Sequence, residues 1–381
     1  MKRLFLVLLT LSCAVSLVFG GGRRQDDSNI PIGLIFPLSG SVSMFGNASR
    51  DGALLAIEEI NNAGGLLGRQ LVPFFQDDQN IPEMTINAFT MLTTRHNVRL
   101  IVGSSTSGAT MAVSPLAQQR RVVLISPSAT NVRVTDAGNF IFRACFIDSF
   151  QGVVGAEFAF NNLRARRAAV LYDAGADYNS DLAMAFRDHF ASLGGQVVAF
   201  EAYQTGDVDF NAQAARIRAA NPDVIYLPNY VHDVSLQIRQ IRGMGMNIPL
   251  LGGDGWDGVI DQIGDEALNT FWSAGFAADT SEPRGKAFVQ AFDARFSRPA
   301  TQFAALGYDA MMILADAIRA AGTAEAAAVR AAMEKTDGEY ITGRIRFDER
   351  RNPIKSAAIM EIVNRDGKMA NSYNTTIIPR R

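Results

Sequence analysis

Small hydroxyl residues follow two neighbouring apolar segments in residues 98–131, VRLIVGSSTSGATMAVSPLAQQRRVVLISPSATN. The apolar segments, residues 100–103 and 122–126, are typical of buried strands, and the stretch between them predicts a helix. In an open parallel sheet, small molecules bind outside the carboxyl ends of the strands. Ser107 and Thr130 would lie there together, each with a hydroxyl and a backbone N–H near a helix start. This arrangement predicts a site for an anion such as a carboxylate.

The same two clusters, residues 104–107 and 126–130, also fit ordinary helix caps and turns, where Ser and Thr are common. Each cluster alone leaves that alternative open. Two clusters in succession, with a further candidate site downstream, favour ligand binding.

The further candidate is the loop GGDGWDG, residues 252–258, which follows a predicted strand over residues 248–251. Glycines around Asp254 let the backbone approach a ligand closely, and the carboxylate presents a negative charge to it. We therefore predict that Asp254 binds an ammonium group. The alternative is that the two acids cap the next short helix, for which Asp257 is the better candidate.

Four aromatic residues follow predicted strands at corresponding places: Phe45, Tyr178, Tyr230 and Trp256. Ligand pockets combine apolar walls with a few placed polar groups, so these four are candidates for pocket walls. An isolated aromatic residue belongs more often to a core, but the shared position of these four favours the pocket.

Catalysis has little support. His96, His189 and His232 have no neighbour arranged as a general base or metal ligand. GSSTSG is one residue too long for the Gly-x-Ser-x-Gly turn, and the sequence has no phosphate loop or dinucleotide fingerprint. Asp77 and Asp78 lack the alternating ligands of a calcium loop. We expect no enzyme activity, cofactor or metal.

The 381 residues are 48% hydrophobic, which is enough for two cores and predicts two lobes. The 36 basic and 38 acidic residues are scattered and give a net charge of -2, which argues against a nucleic-acid partner.

Residues 1–22 are typical of a secretory signal: two basic residues, the apolar run 4–19, and glycines. We predict cleavage after Gly20. The apolar run is short for a membrane span, although anchoring stays open, and lipidation of Cys13 is another alternative. Cleavage would leave Cys145 as the only cysteine, so no internal disulfide could form.

From residue 30 onwards, short apolar runs alternate with amphipathic stretches, which predicts strand and helix units on parallel sheets. The cycle restarts after residues 140–146. Predicted strands are 30–37, 71–76, 100–103, 122–126, 168–172, 197–202, 224–227, 248–251, 343–348, 357–364 and 375–378. Predicted helices are 47–62, 150–163, 181–193, 210–220, 286–296, 303–321 and 324–334, with two more after Pro82 and near Gly108.

From about residue 30 to residue 378 the chain resembles the type I periplasmic binding proteins, among them the leucine, isoleucine and valine-binding family of ABC importers. The segments that carry the resemblance are IPIGLIFPLSGSVSMFGNASRDGALLAIEEINNAGGLLGRQL, the two hydroxyl clusters, FRACFIDSFQG, DVIYLPNY and LLGGDGWDG. The resemblance implies an α/β fold of two similar lobes, each with a doubly wound, mainly parallel sheet and helices on both faces, joined by a multi-segment hinge. The implied first lobe is 29–146 with 277–347, and the second is 147–276 with 348–381.

The resemblance also implies the role of each site residue. Ser107 and Thr130 would hold the carboxylate of an amino acid, and Asp254 would hold its ammonium group together with Ser128 and Thr130. The implied pocket wall comprises Phe45, Ser105, Thr106, Ala129, Tyr178, Tyr230 and Trp256. The family has tyrosine at the position of Phe45, and its branched-chain members have glutamate at that of Asp254, so the preferred side chain stays open.

These observations predict an extracytoplasmic, monomeric solute-binding protein of an ABC importer. It would bind a branched-chain or other apolar or aromatic amino acid between its lobes and deliver it to a membrane permease. The alternatives are a binder of amides, urea or aromatic acids on the same fold, and a ligand-sensing subunit of a signalling system.

Overall fold

The computed structural model describes residues 29–378. The predicted signal segment, its cleavage site and the alternative lipidation site at Cys13 lie outside these residues. Within residues 29–378, no helix is both long enough and apolar enough to cross a membrane.

The first lobe is built on a five-stranded parallel sheet with the order β2-β1-β3-β4-β5. β3 and β4 are buried along their whole length, as expected for strands with helices on both faces. The strands are β1 (Asn29–Phe36), β2 (Gln70–Asp77), β3 (Leu100–Gly103), β4 (Val123–Ser126) and β5 (Ile141–Arg143), and the helices between them are α1 (Ser43–Asn62), α2 (Pro82–Arg95) and α3 (Ser107–Arg120).

The second lobe repeats this order in a seven-stranded sheet, β14-β13-β10-β9-β8-β6-β7. Its parallel part, β7-β6-β8-β9-β10, matches β2-β1-β3-β4-β5, and β13 and β14 add an antiparallel hairpin at one edge. The strands are β6 (Arg167–Asp173), β7 (Gln196–Tyr203), β8 (Val224–Leu227), β9 (Leu250–Gly252), β10 (Thr270–Ala274), β13 (Ala357–Arg365) and β14 (Lys368–Ile377). The helices are α4 (Asp148–Glu157), which continues as the π-helical turn Phe158–Asn162, α5 (Asp177–Ser192), α6 (Asn211–Ala220) and α7 (Val231–Gly243).

Three chain segments connect the two sheets, which confirms the predicted fold class of two similar lobes with a multi-segment hinge. The chain crosses after β5, returns after β10, and crosses again before β13. The returning part contains α8 (Pro283–Phe296), α9 (Gln302–Ala321) and α10 (Ala326–Met333), followed by the hairpin β11 (Asp337–Tyr340) and β12 (Gly343–Arg346). The exact residue boundaries of the lobes stay a prediction.

Several predicted element bounds need correction. α1 begins at Ser43 rather than at residue 47, so Phe45 lies in its first turn and not in a loop. α5 begins at Asp177 rather than at residue 181, which places Tyr178 in its first turn. β11 was missed and β14 starts earlier than predicted, because their polar residues carry no alternating apolar signal and pair only with a neighbouring strand.

α1 and α9 approach each other closely at glycines. A Cβ added at Gly52 would lie 1.9 Å from the carbonyl oxygen of Ala304, and one added at Gly307 would lie 2.2 Å from that of Ser49. Both obstacles are backbone atoms of a neighbouring helix, which cannot move independently of it. The absence of a side chain at these two positions therefore sets the distance between the two helices.

We expect Gly52→Ala to lower the free energy of unfolding by about 1 to 3 kcal/mol, because the methyl group forces α1 away from α9. Gly243→Ala is the matched control: Gly243 ends α7 and has no heavy atom within 4 Å of an added Cβ. The control should be unchanged or up to about 1 kcal/mol more stable. Urea denaturation measures both, and equal stability of Gly52→Ala and the wild type would contradict the close contact.

Candidate ligand-binding cleft

The two hydroxyl clusters lie side by side at the carboxyl ends of β3 and β4. Ser126 Oγ donates to the carbonyl of Ser104 at 2.6 Å, and Ser128 Oγ donates to the carbonyl of Ser105 at 2.7 Å. Ser107 begins α3, whose N-cap residue makes no side-chain cap. Uncapped N–H groups at a helix start attract an anion, so this edge has the features of a carboxylate site.

The other predicted site residues of the two hydroxyl clusters are also buried at the carboxyl ends of β3 and β4. Ser107 Oγ accepts a hydrogen bond from the backbone N–H of Asn131 at 3.2 Å, and Thr130 is buried beside it. The other predicted wall residues have partners within the first lobe: Ser105 contacts Ser49, Thr106 donates to Asn80, and the Ala129 N–H donates to Ser126.

Asp254 lies in a short 3₁₀ turn after β9, and its carboxylate is buried. Oδ1 accepts hydrogen bonds from Gln151 Nε2 at 2.8 Å and from the Tyr178 hydroxyl at 2.9 Å. Burial raises the pKa of Asp254 to about 7, while the hydrogen bond from Tyr178 and backbone N–H groups oppose the rise. A cation arriving here would favour the ionised carboxylate.

Asp148 is a second buried acid that the sequence reasoning missed. It begins α4, its backbone N–H donates to the carbonyl of Thr130 at 2.9 Å, and its side chain has no exposed surface. Burial raises the pKa of Asp148 well above its ordinary value, the negative charge of Asp254 adds to the rise, and the Thr130 hydroxyl opposes it. Apart from that hydroxyl, no donor in residues 29–378 reaches its carboxyl oxygens. The available signal was an acid at a predicted helix start, within FRACFIDSFQG.

Arg143 holds the backbone of the second hydroxyl cluster through hydrogen bonds. Its guanidinium is fully buried and donates from Nη1 to the carbonyls of Ala129 at 2.9 Å and Asn131 at 2.7 Å. Burial lowers the pKa of Arg143, and its charge partly offsets that of Asp148. The cleft therefore holds two buried acids and one buried base.

Three of the four predicted aromatic residues form one continuous row. Tyr178 and Tyr230 are stacked with ring centroids 4.8 Å apart, Phe45 lies 6.0 Å from Tyr230, and Phe45 also stacks on Phe303 at 4.1 Å. Trp256 has a different environment: its indole N–H donates to the carbonyl of Leu227 at 2.8 Å and ties the loop to the end of β8. Its role in a pocket wall stays a prediction.

Asp257 accepts a hydrogen bond from the backbone N–H of Gln302 at 3.1 Å. The alternative from the sequence was that Asp257 caps the next short helix along the chain. In the structure, its carboxylate instead lies at the start of α9 in the other lobe. Gln302 Nε2 also donates to the carbonyl of Asp254 at 2.9 Å. The loop that carries both acids is thereby joined to the first lobe.

Further contacts join the lobes around the cleft. Asn131 Nδ2 donates to Asp181 Oδ2 at 2.7 Å and to the carbonyl of Asp177 at 3.1 Å, and Arg133 forms an ion pair with Asp177 at 2.5 Å. These bonds connect the segment after β4 to the first turns of α5. The lobes are therefore in contact around the predicted site, and its residues are buried between them.

Across residues 29–378, no group of three or more His, Cys, Asp or Glu side chains is arranged to hold a metal ion. The cleft itself offers charged groups, hydroxyls and aromatic rings. A hydroxyl-rich helix start and buried acids suit a small ligand with both an anionic and a cationic group.

Two doubly wound lobes, three connecting segments and a buried site at facing strand ends define the class of type I periplasmic binding proteins. The family model described as Periplasmic binding protein matches residues 29–368, and the chain belongs to this family. The chain is thus a solute-binding protein and not an enzyme, as predicted.

Individual relatives resemble almost the whole chain. The leucine-, isoleucine-, valine-, threonine- and alanine-binding protein of Pseudomonas aeruginosa is 31% identical over 345 residues, which cover 90% of this chain and 92% of the relative. A leucine-binding protein from Thermotoga maritima superposes with a TM-score of 0.86 at 31% identity, covering 92% and 99% of the two chains. A branched-chain amino acid transporter substrate-binding protein from Streptococcus pneumoniae, solved with isoleucine, gives 0.84 at 32% identity, covering 91% and 99%.

The buried Asp257 should make the stability of the protein depend on pH. Burial raises the pKa of Asp257 from 3.8 to about 7, so the folded chain holds this proton more tightly than the unfolded chain. Its contribution to the free energy of unfolding therefore falls as the pH rises from about 4 to about 7. Between about pH 5 and pH 8.5, Asp257→Asn should gain about 2 to 3 kcal/mol relative to the wild type.

Urea denaturation across that pH range measures the difference. Asp337→Asn is the control, because the ion pair with Arg344 lowers the pKa of Asp337 and its contribution changes only at lower pH. This control should run parallel to the wild type. A parallel curve for Asp257→Asn would mean that Asp257 is not buried in the folded protein.

Proposed function

We propose that this protein is the extracytoplasmic solute-binding subunit of an ABC importer. It binds an amino acid of the branched-chain or another apolar or aromatic type between its lobes and delivers it to a membrane permease. The observation that carries the proposal is the pairing of opposite binding features in one buried cleft. The hydroxyl clusters of Ser107 and Thr130 belong to the first lobe, and the carboxylate of Asp254 belongs to the second.

The two ends of an amino acid fit these two features. The start of α3 and the Ser107 hydroxyl supply donors for the carboxylate without a full positive charge, and the Thr130 hydroxyl becomes a further donor when it turns from Asp148 to the ligand. Asp254 and Asp148 supply the negative charge for the ammonium group. The pKa of Asp254 is about 7, so its carboxyl group is partly protonated near neutral pH. An incoming ammonium group lowers this pKa, and ligand binding therefore releases part of a proton.

The aromatic row supports an apolar side chain on the ligand. Phe45 comes from the first lobe, and Tyr178 and Tyr230 come from the second, so apolar surface is present on both sides. The names of the relatives from Pseudomonas aeruginosa and Streptococcus pneumoniae include branched-chain amino acids, which agrees with such a wall.

A ligand that bridges the two lobes also explains how the permease can distinguish the ligand-bound protein from the free protein. It contacts the first lobe through its carboxylate and the second through its ammonium group, so it binds the closed arrangement more tightly than an open one. The contacts of Asn131 with Asp181 and of Gln302 with the Asp254 loop then form together with the ligand contacts. The permease recognises the closed protein, which is a monomer secreted to the periplasm by residues 1–22.

A binder of amides, urea or aromatic acids would leave Asp254 and Asp148 without a cation. A thermal-unfolding screen separates these ligand classes. It uses the common L-amino acids, acetamide, urea, 4-hydroxybenzoate, and 4-methylpentanoate, which is leucine without its ammonium group. A ligand at about 100 times its Kd adds about 2.7 kcal/mol of stability. We expect a shift with apolar amino acids and none with 4-methylpentanoate. A shift with amides or 4-hydroxybenzoate alone would refute the proposal.

Asp254→Asn should weaken amino-acid binding by about two to four decades, because removing one partner of a buried ionic contact costs about 3 to 5 kcal/mol. Asp257→Asn is the matched control, with the same loop, the same burial and the same loss of charge, but its side chain faces α9. The control should stay within about threefold of the wild type. Calorimetry gives both dissociation constants, and equal effects of the two variants would remove Asp254 from the ammonium site.

A further inference from the structure

A pocket rich in arginine lies at the end of the first lobe opposite the cleft. Arg69, Arg99, Arg120 and Arg121 line this basic pocket, which has a volume of about 340 Å³. Leu100, at the start of β3, is also part of the lining, so the pocket lies at the amino ends of the strands. The amino-acid site lies at their carboxyl ends, and the two sites share no residue.

The positive charge of the basic pocket is only partly balanced by the protein. In the part of the chain that the structure describes, none of its four arginines forms an ion pair, whereas arginines elsewhere, such as Arg295 and Arg344, pair with carboxylates at 2.8 Å. Glu325 is the single acid in the lining. Four guanidinium groups around one concave site raise the local potential and attract anions.

Backbone and side-chain acceptors hold three of the guanidinium groups in place. Arg99 Nη1 donates to the carbonyl of Thr93 at 3.0 Å, Arg120 Nη1 donates to Thr93 Oγ1 at 2.8 Å, and Arg69 Nη2 donates to the carbonyl of Asn29 at 2.5 Å. Each guanidinium has five N–H donors, so most donors remain free for a ligand. The Nε of Arg69 is buried and has no acceptor in residues 29–378.

The start of α10 adds donors to the same wall. Ala326 and Ala327, the first two residues of α10, line the basic pocket, and the N-cap residue Glu325 makes no side-chain cap. Backbone N–H groups at a helix start carry partial positive charge and bind anions. They supplement the arginines.

We propose that the basic pocket binds a phosphate-bearing anion with two or more negative charges. The planar guanidinium group of arginine can donate two parallel hydrogen bonds to the oxygens of one phosphate group. Several arginines around one site also favour a multiply charged ligand over a monocarboxylate. The phosphate belongs either to a soluble phosphate compound or to the headgroup of a phospholipid. This site is independent of the amino-acid site, and the proposal does not rest on the proposed function.

The test compares a double variant, Arg99→Gln with Arg121→Gln, with a control of equal charge change, Arg187→Gln with Arg216→Gln. The control residues are two arginines of the second lobe, the half-buried Arg187 and the exposed Arg216, which pair with Asp188 and Glu201. Calorimetry with pyrophosphate should show binding by the wild type and the control that weakens as salt is added. In the pocket variant, binding should be at least about tenfold weaker, since it loses two charge-assisted contacts.

A second arm identifies the source of the phosphate. Co-sedimentation uses vesicles of phosphatidylcholine with and without cardiolipin, a phospholipid whose headgroup carries two phosphate groups and two negative charges. Wild-type binding to the anionic vesicles that the pocket variant loses assigns the pocket to a lipid headgroup, whereas pyrophosphate binding without vesicle binding assigns it to a soluble phosphate. Absence of both kinds of binding at millimolar ligand, or an equal loss in the control, overturns the proposal. Unchanged thermal unfolding of the pocket variant without ligand confirms that it folds.

Discussion

The burial of two carboxyl groups in one cleft is the constraint on which the rest of the site depends. Asp148 and Asp254 are both removed from water, and burying a charge without a partner is costly. Gln151 and Tyr178 donate hydrogen bonds to one carboxylate oxygen of Asp254, and the charge of Arg143 offsets part of the charge of Asp148. In the proposed function, the ammonium group of the ligand would supply the missing positive charge, so ligand binding and contact between the lobes would favour each other.

The repeated strand order makes such a cleft available. Both sheets follow the same order in their parallel parts, so each lobe presents the carboxyl ends of its strands as a binding edge. Three connecting segments let these edges face each other, and the glycine contacts between α1 and α9 allow these two helices to pack closely. The opposite end of the first lobe carries an excess of positive charge, since four arginines and one glutamate line the basic pocket.

The sequence allowed most of the architecture to be predicted, because buried parallel strands such as β3, β4 and β8 appear as short continuous apolar runs. It was less informative at element ends. α1 and α5 each begin four residues before the predicted start, because their first turns carry Phe45 and Tyr178 towards the cleft instead of an apolar face towards a sheet. The hairpin strand β14 was only partly predicted for a related reason, since its polar residues are held by pairing with β13.

The sequence by itself determined the fold class, the two hydroxyl clusters and the acidic loop, since apolar periodicity and local turn residues encode these features within a few positions. The tertiary structure decided which of them meet. Asp148 lies in the cleft, Asp257 accepts a hydrogen bond from the first residue of α9 in the other lobe, and Trp256 ties its loop to the end of β8. The physical reason is that burial and partner choice depend on residues far apart in the chain, which no local pattern records.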